Sequence, residues 1–336
     1  MCFLKRVNLG IIGLGNQGKL NLHNSLRLKE ARVLAAADLS EKALRYAKNR
    51  GVKNVYTNYE DLLKDDEIEG VIVNLPNFLH LEGAVKAAEA GKHILLEKPL
   101  ARNVEEGEKI VSAVRKNGVK LMVAFALRYS PILRKAHDEI ADGLFGSVQI
   151  VEATNVSSGP FTPRSDSVGP VQVPQWWLDK ELAGGGVLLD LGSHMIDLLG
   201  WYFGEVVYVK SYLEHLFNND LEDVATCILK FKDGPIATVK VGWFSKALLQ
   251  SIQVCGTTKN VLIQISPKPA LQVIWKGIAT KVGLNNSDAY YLQLKHFVEC
   301  LQKDEEPQPS GEEGLRCQQI ISQAYENTLN SPKKWD

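Results

Sequence analysis

The sequence has few cysteines, no excess of either charge and no long hydrophobic run. Its five cysteines, at positions 2, 227, 255, 300 and 317, are an odd number and form no Cys-x-x-Cys pair. This usage argues against a disulfide framework or a structural zinc site and suits a reducing compartment. Basic and acidic residues both number 39. The formal net charge is therefore zero, and we expect neither nucleic acid nor an anionic membrane as a partner.

The apolar segments are too short or too interrupted for a signal peptide or a membrane span. Residues 7–12 are shorter than a signal-peptide hydrophobic region, and the stretch 186–203 contains Asp190, His194 and Asp197. We therefore expect a soluble, non-secreted protein, with the cytoplasm as its default location. The 336 residues, 45% of them hydrophobic, are enough for two domains with ordinary cores.

The chain up to about residue 127 alternates short apolar runs with longer amphipathic segments. Buried strands are predicted at residues 7–12, 33–37, 71–75, 93–96 and 121–125. Helix caps are predicted at Ser40, Asn103 and Ser130. This β-α alternation predicts a doubly wound parallel sheet of the Rossmann type.

The pattern changes after about residue 147. Strands are predicted at residues 147–156, 206–217, 224–232, 236–244, 251–256, 260–265 and 271–276. One apolar helix is predicted at 187–203, and two amphipathic helices at 289–302 and 312–329. The predicted fold is α/β. A Rossmann domain spans residues 1–127, and an α+β domain with a large, mostly antiparallel open sheet spans residues 128–336.

A glycine-rich turn follows the first predicted strand and opens a helix. It reads Gly13-Leu14-Gly15-Asn16-Gln17-Gly18, and Asp38 ends the second strand 20 residues later. Such a turn lets the backbone and the helix N-terminus approach a pyrophosphate, and the acid accepts both ribose hydroxyls and repels a 2′-phosphate. The motif predicts a dinucleotide site that prefers NAD over NADP. A plain strand–helix turn is the alternative.

Two further groups of polar residues are candidates for chemistry. Glu97-Lys98-Pro99 follows the fifth strand, at the carboxyl edge of the sheet where ligands bind in such folds. Asp190, His194 and Asp197 have the i, i+4, i+7 spacing of one face of the apolar helix. Burying polar side chains is unfavourable in free energy, so their presence in an apolar helix indicates a function. A satisfied core cluster or a metal site remains an alternative, although the helix offers no His-x-x-x-His pair and no thiolate.

Taken together, these motifs resemble the Gfo/Idh/MocA oxidoreductases, which include glucose–fructose oxidoreductase and inositol dehydrogenase. The similarity spans essentially the whole chain, and the matching motifs are the glycine fingerprint, Pro76-Asn77 with His80, Glu97-Lys98-Pro99, Arg128-Tyr129 and Asp190-x-x-x-His194. The resemblance implies a Rossmann domain followed by an α/β domain whose open sheet supports a homodimer or homotetramer. It also implies cofactor contacts from residues of these motifs, namely Gly13, Gly15, Asn16, Gln17, Gly18, Asp38, Pro76, Asn77, His80, Glu97, Lys98 and Arg128.

Within that family chemistry, a secondary alcohol loses a hydroxyl proton and a carbon-bound hydride. His194 is the expected base, because the unperturbed pKa of a histidine, about 6.5, lies near working pH. Asp190 either orients it or binds a neighbouring substrate hydroxyl. Lys98 is expected to hydrogen-bond the reacting oxygen and stabilise its developing charge. Glu97 is expected to meet the nicotinamide ribose, and no metal is required.

The irregular stretch 157–182 contains four prolines, and a loop that long is more often functional than filler. Arg164, Trp176 and Trp177 are its candidates for substrate binding, although the tryptophans could equally pin the loop to the core. Asn155 is a further substrate candidate, and Trp243 is placed on a strand that could face the same side.

The leading hypothesis is therefore an NAD-dependent dehydrogenase of a cyclic polyol, either a sugar, a sugar derivative or an inositol. One alternative is a glycosidase that uses bound NAD to oxidise, eliminate and reduce back. Another is a non-catalytic dinucleotide sensor, against which the presence of Lys98, Asp190 and His194 argues, since a sensor needs no proton relay.

Overall fold

The computed structural model describes residues 6–160, 173–217, 220–266, 270–275, 278–283 and 288–329. It divides into two compact units. The first comprises residues 1–126 and 288–316, and the second comprises residues 127–287 and 317–336. Each unit is built around its own sheet.

The first unit contains a six-stranded parallel sheet in the order β3-β2-β1-β4-β5-β6. Its strands are β1 (Val7–Ile12), β2 (Ala31–Ala37), β3 (Asn54–Tyr56), β4 (Gly70–Val73), β5 (His93–Leu96) and β6 (Leu121–Val123). Its connecting helices are α1 (Asn16–Arg27), α2 (Glu41–Lys48), α3 (Tyr59–Leu63), α4 (His80–Glu89) and α5 (Val104–Lys116). The chain order reverses between β1 and β4, so the carboxyl ends of these two strands flank the topological switch point.

The predicted strands of this sheet are confirmed, because continuous apolar runs are buried on both faces. Every residue of β4 and β6 is buried. β3 and α3 were not predicted, since they are only three and five residues long and β3 has a single aliphatic residue, Val55. The predicted cap at Asn103 accepts from the Glu106 N–H at 2.9 Å. The Glu106 carboxylate bonds Arg102 rather than completing a reciprocal capping box.

The second unit contains, within the described residues, an eight-stranded sheet in the order β14-β13-β12-β11-β7-β10-β9-β8. Its strands are β7 (Val148–Val156), β8 (Val206–Glu214), β9 (Val224–Phe231), β10 (Ile236–Gly242), β11 (Leu249–Gly256), β12 (Asn260–Ser266), β13 (Ala270–Trp275) and β14 (Ile278–Gly283). Among these strands only β7 and β10 pair in parallel. The predicted open, mostly antiparallel sheet is confirmed. β14 was not predicted.

The helices of the second half of the chain are α6 (Pro131–Ala141), α7 (Lys180–Ala183), α8 (Ser193–Phe203), α9 (Ala289–Lys303) and α10 (Gly311–Glu326). A π-helical turn, Leu188–Gly192, precedes α8. The helical run Lys180–Phe203 is long and apolar enough to cross a bilayer, but 67% of its most apolar window is buried inside the protein. It therefore packs as a core helix does.

The segment 288–316 differs from the predicted division, which assigned all of residues 128–336 to the second domain. Instead, α9 packs against α1 and β1, and Arg27 forms an ion pair with Asp288 at 3.3 Å. The Val123 N–H donates to the carbonyl of Pro309 at 2.9 Å. The sequence of an amphipathic helix does not show which sheet the helix covers. The sheet against which these two helices pack could therefore not be predicted.

Candidate functional site

The glycine turn of the first unit has the geometry that a dinucleotide needs. Gly13 has φ +84°, and a Cβ there would lie 2.6 Å from the carbonyl oxygen of Asn74. A Cβ on Gly18 would lie 2.0 Å from the carbonyl oxygen of Gly13. Both positions require glycine, because the turn is tight and α1 packs directly onto it.

Gly15, in contrast, faces open space. A Cβ added there would meet no heavy atom within 4 Å. Gly15 is the N-cap of α1, no side chain caps this helix, and Asn16 and Gln17 form its first turn. A helix N-terminus presents backbone N–H groups and a positive dipole end to an anion. The turn and the exposed space in front of it therefore fit a pyrophosphate.

Asp38 lies beside this turn, at the end of β2. Its Oδ2 accepts from the Leu14 N–H at 2.7 Å, and its Oδ1 accepts from the Ser40 N–H at 2.7 Å. These bonds tie the end of β2 to the glycine turn. An ionised carboxylate has about four acceptor positions, so Asp38 retains the capacity to accept ribose hydroxyls.

A polar cluster occupies the carboxyl edge of the parallel sheet. The Asn21 Nδ2 of α1 donates to Asn74 Oδ1 at 2.6 Å and lies 3.4 Å from Glu97 Oε1. Asn74 follows β4 and Glu97 follows β5, with Lys98 next in the chain. Sequence reasoning missed Asn21 and Asn74. Asn21 lies one helical turn beyond Gly18. An asparagine at this spacing from the glycine turn was the sequence signal that could have found it.

Burial raises the pKa of Glu97 to about 7, against the opposing effects of Lys98 and Asn21. In an unfolded chain this carboxyl ionises near 4.5. The folded state therefore holds a proton that the unfolded state releases, and stability falls as the pH rises between these values.

Glu97→Gln should remove this loss of stability. We expect the variant to match the wild type below about pH 4.5 and to exceed it by about 1–3 kcal/mol in free energy of unfolding above pH 7. Urea titrations at pH 4.5, 6 and 8 measure the difference. A difference that is the same at all three pH values would contradict the titration of Glu97.

Pro76, Asn77 and His80 follow β4, where Asn77–Leu79 forms a 3₁₀ turn and His80 begins α4. The ring of His80 is buried, and the predicted cofactor contact of this residue stays a prediction. Nδ1 lies 2.8 Å from the carbonyl oxygen of Pro99, and Nε2 lies 2.9 Å from that of Leu75. Burial lowers the pKa of His80. The imidazole therefore supports the turn that follows Lys98.

In the second unit, Asp190 lies in the π turn and His194 is the second residue of α8. Both side chains are half-buried, whereas Asp197 is buried. The three residues therefore differ in burial, although their spacing predicts one helical face. π turns inside helices occur frequently at functional sites.

Asp197 forms a buried ion pair with Arg128. Arg128 Nε donates to Asp197 Oδ2 at 2.9 Å and Nη2 donates to Oδ1 at 2.7 Å, with the two side chains 6% and 1% exposed. A buried carboxylate needs such a countercharge. This pairing gives Arg128 a structural role, and its predicted cofactor contact stays a prediction.

The predicted substrate contact of Asn155 also stays a prediction. The residue is fully buried on β7; its Nδ2 donates to the carbonyl of Leu191 at 3.2 Å and its Oδ1 accepts from Gln250 Nε2 at 3.1 Å. The amide therefore holds the π turn.

The two loop tryptophans lie in the 3₁₀ turn Gln175–Leu178 and are half-buried. The Trp177 ring lies 5.8 Å from the ring of Trp243 at 55°. Trp243 is a core residue, not a cleft residue. Trp177 thus contacts the core, and the substrate roles of both loop tryptophans stay predictions. Arg164 lies outside the described residues.

No group of three His, Cys, Asp or Glu side chains suited to a metal ion occurs in the described part of the chain.

Comparisons with known proteins agree with this geometry. The model of the oxidoreductase family with an NAD-binding Rossmann fold matches residues 7–125, and that of the GFO/IDH/MocA C-terminal domain matches residues 133–261. The chain is 26% identical to the uncharacterised oxidoreductase YrbE of Bacillus subtilis, over 96% of this chain and 94% of that protein. It is also 26% identical to D-xylose 1-dehydrogenase (NADP(+)) 2 of Haloferax volcanii, over 95% and 96% of the two chains.

Among solved structures, levoglucosan dehydrogenase in complex with NADH and levoglucosan has a similar fold. Its TM-score is 0.86 at 23% identity, and the match covers 96% of this chain and 97% of that one. The protein belongs to the Gfo/Idh/MocA family of oxidoreductases, whose N-terminal domain is an NAD-binding Rossmann fold.

Proposed function

We propose that this protein is an NAD-dependent dehydrogenase that transfers a hydride between a secondary alcohol of a cyclic polyol and nicotinamide. The observation that carries the proposal is the open space at Gly15, in front of the uncapped N-terminus of α1. Asp38 and the Asn21–Asn74–Glu97 cluster lie at the same carboxyl edge of the sheet. The relatives named for sugar substrates support the substrate class.

The residues of the first unit would hold the cofactor in the following way. The N–H groups at the start of α1 bind the pyrophosphate, and Asp38 accepts the hydroxyls of the adenosine ribose. Glu97, with Pro76 and Asn77, would hold the nicotinamide half of the dinucleotide. The bound dinucleotide supplies the acceptor for the hydride, and the protein supplies orientation and proton transfer.

Proton transfer is assigned to three residues. His194 takes the hydroxyl proton onto a ring nitrogen, and Asp190 orients it or binds a neighbouring substrate hydroxyl. Lys98 donates a hydrogen bond to the substrate oxygen and stabilises the charge that develops there. Both Asp190 and His194 are half-buried, which leaves each a surface for a substrate while its backbone is held in the protein.

The proposal is tested with cofactor-stripped protein, NAD or NADP, and a panel of free sugars, anhydrosugars, inositols and nucleotide sugars. We expect formation of reduced nicotinamide, followed at 340 nm, with at least one cyclic polyol. Cleavage of glycosides without net reduction would instead support the NAD-using glycosidase. Tight dinucleotide binding with no turnover of any compound would support the sensor and contradict the proposal.

NAD should be preferred over NADP, because Asp38 is followed by Leu39 and Ser40, which supply no cation for a 2′-phosphate. Asp38→Ser should narrow the preference for NAD by about 1–3 kcal/mol. It removes the carboxylate charge that repels a 2′-phosphate, or a hydrogen bond that the carboxylate accepts from the ribose. The ratio of kcat/KM for the two cofactors measures this. Glu41→Gln, which changes an exposed acid in the first turn of α2, is the matched control and should leave the ratio unchanged. A wild-type preference for NADP would contradict the role of Asp38.

We also propose a homodimer or homotetramer formed through the sheet of the second unit. Ile150, Ile236, Lys230 and Tyr208 are paired across β7, β10, β9 and β8 in one row. Ile150, Ile236 and Tyr208 are about half exposed, and exposed apolar surface of this kind marks association. Ile236→Glu should lower the mass measured by analytical ultracentrifugation to that of a monomer, whereas Lys230→Gln should not. A monomeric wild-type protein would contradict this assignment.

A further inference from the structure

Glu222 is a buried carboxylate that lies outside the proposed catalytic set. It contacts the segment that carries Asp190 and His194. It stands two residues before β9 and is 4% exposed. Its Oε1 accepts from the Leu188 N–H at 3.0 Å, and both oxygens lie 3.1 Å from the Gly186 nitrogen. Its backbone carbonyl accepts from the Val187 N–H at 2.9 Å. One residue of another element thus satisfies three successive N–H groups at the start of the π turn.

Tyr325 of α10 completes this arrangement. Its hydroxyl donates to Glu222 Oε1 at 2.8 Å. A Cβ on Gly185 would lie 2.3 Å from that hydroxyl, and a Cβ on Gly186 would lie 2.2 Å from the carbonyl oxygen of Glu222. The glycines at these two positions are therefore explained by the close approach of the Tyr325 hydroxyl and of the Glu222 backbone carbonyl.

The rest of the segment is held in the same manner. Asn155 Nδ2 donates to the Leu191 carbonyl, and Cys317 Sγ lies 3.5 Å from the Ser193 carbonyl oxygen. Ser193 Oγ donates to the Asp190 carbonyl at 3.0 Å. Side chains from β7 and α10 therefore fix the backbone on either side of Asp190 and immediately before His194.

The hydrogen-bond donors around the Glu222 carboxylate favour its ionised form, whereas burial disfavours it. Burial raises its pKa, while hydrogen bonds from Tyr325, Leu188 and Gly186 oppose the rise. These partners are all donors, and a negative charge at the start of a helical segment is favoured by the helix dipole. A glutamine at position 222 would direct an N–H of its side-chain amide toward the backbone N–H groups that donate hydrogen bonds to the carboxylate.

We propose that Glu222 is a positioning residue of the reaction, which sets the place of Asp190 and His194 by holding the backbone of residues 186–188. Its effect on turnover rests on the proposed function. Its effect on the backbone does not, because the hydrogen bonds are within the second unit alone.

The test compares Glu222→Gln with Asp223→Asn. Asp223 is a fully buried carboxylate in the next position, and it accepts from the N–H groups of Leu216 and Phe217 at 2.8 and 2.7 Å. It therefore matches Glu222 in chemistry and burial but holds a different loop. Hydrogen–deuterium exchange of peptides covering residues 184–194, kcat and KM for the best substrate of the panel, and the Kd for NADH are measured for both variants.

For Glu222→Gln we expect exchange in residues 184–194 to accelerate about tenfold or more and kcat to fall about 10- to 100-fold, with an unchanged Kd for NADH. Asp223→Asn should leave exchange in 184–194 and kcat within about threefold of the wild type. If Glu222→Gln does not fold, Tyr325→Phe removes one donor to the same carboxylate and should change exchange and kcat in the same direction by about 3- to 10-fold.

Unchanged exchange in residues 184–194 would overturn the inference, as would an equal effect of Asp223→Asn on exchange and kcat. Faster exchange with an unchanged kcat would also overturn it, because the segment would then not position the reacting groups. A wild-type protein without turnover contradicts the proposed function, and the exchange comparison then decides whether Glu222 holds the segment.

Discussion

Replacing Lys98 with alanine is expected to lower kcat by about 10²- to 10³-fold, which is the usual effect of removing one donor from a developing oxyanion. Lys98 directly follows Glu97 at the carboxyl edge of the sheet, and His80 holds the next turn through the Pro99 carbonyl. Because the assigned interaction forms mainly in the transition state, the Kd for NAD should change little. Steady-state kinetics and a fluorescence titration of NADH measure the two quantities.

Lys92→Ala is the matched control for this experiment. Lys92 stands before β5, at the opposite end of the strand, and its ammonium donates to the Asp65 carbonyl at 2.7 Å. We expect kcat within about threefold of the wild type for this variant. Near-normal turnover in Lys98→Ala, or an equal loss in Lys92→Ala, would show that Lys98 does not contact the reacting oxygen.

Replacing His194 with alanine is expected to lower kcat by about 10²- to 10⁴-fold, the range for loss of a general acid–base group. A base accepts a proton only in its neutral form, so the wild-type rate should rise with pH as a histidine deprotonates, between about pH 5 and 8. That rise should disappear in the variant. The pH dependence of kcat, measured in buffers of constant ionic strength, provides the check.

His137→Ala serves as the control for His194. His137 lies on α6, and its ring stacks on Trp201 at 4.0 Å. Its removal should reduce stability but retain the rise of kcat with pH. If the rise persists in His194→Ala, another group is the base. Loss of wild-type activity with a chelator and recovery with zinc would point instead to the metal-site alternative.

Local motifs in the sequence were sufficient for the architecture and for the dinucleotide turn. Continuous apolar runs predict buried parallel strands, and the glycine spacing between β1 and α1 predicts the turn. The structure agrees at each glycine, with a positive φ at Gly13 and open space at Gly15. These features are predictable because each depends on the conformation of a few consecutive residues.

The partners of buried polar side chains could not be predicted in the same way. His80 supports the Lys98–Pro99 turn, Arg128 neutralises Asp197, and Asn155 holds the π turn. The sequence showed these residue types but not their partners, most of which lie between 19 and 95 positions away along the chain. Glu222 gave no sequence signal, because an acid before a strand usually lies in solvent.

Composition, hydrophobic period and motif order thus determined the two sheets, the cofactor turn and the candidate residues Lys98, Asp190 and His194. The tertiary structure decided which candidates keep an exposed polar surface and which have their polar atoms in internal hydrogen bonds. The physical reason is that burying a polar group is unfavourable unless it is hydrogen-bonded. Only the folded chain shows which residue supplies that bond, as Arg128 does for Asp197 and as Glu222 does for the backbone ahead of Asp190.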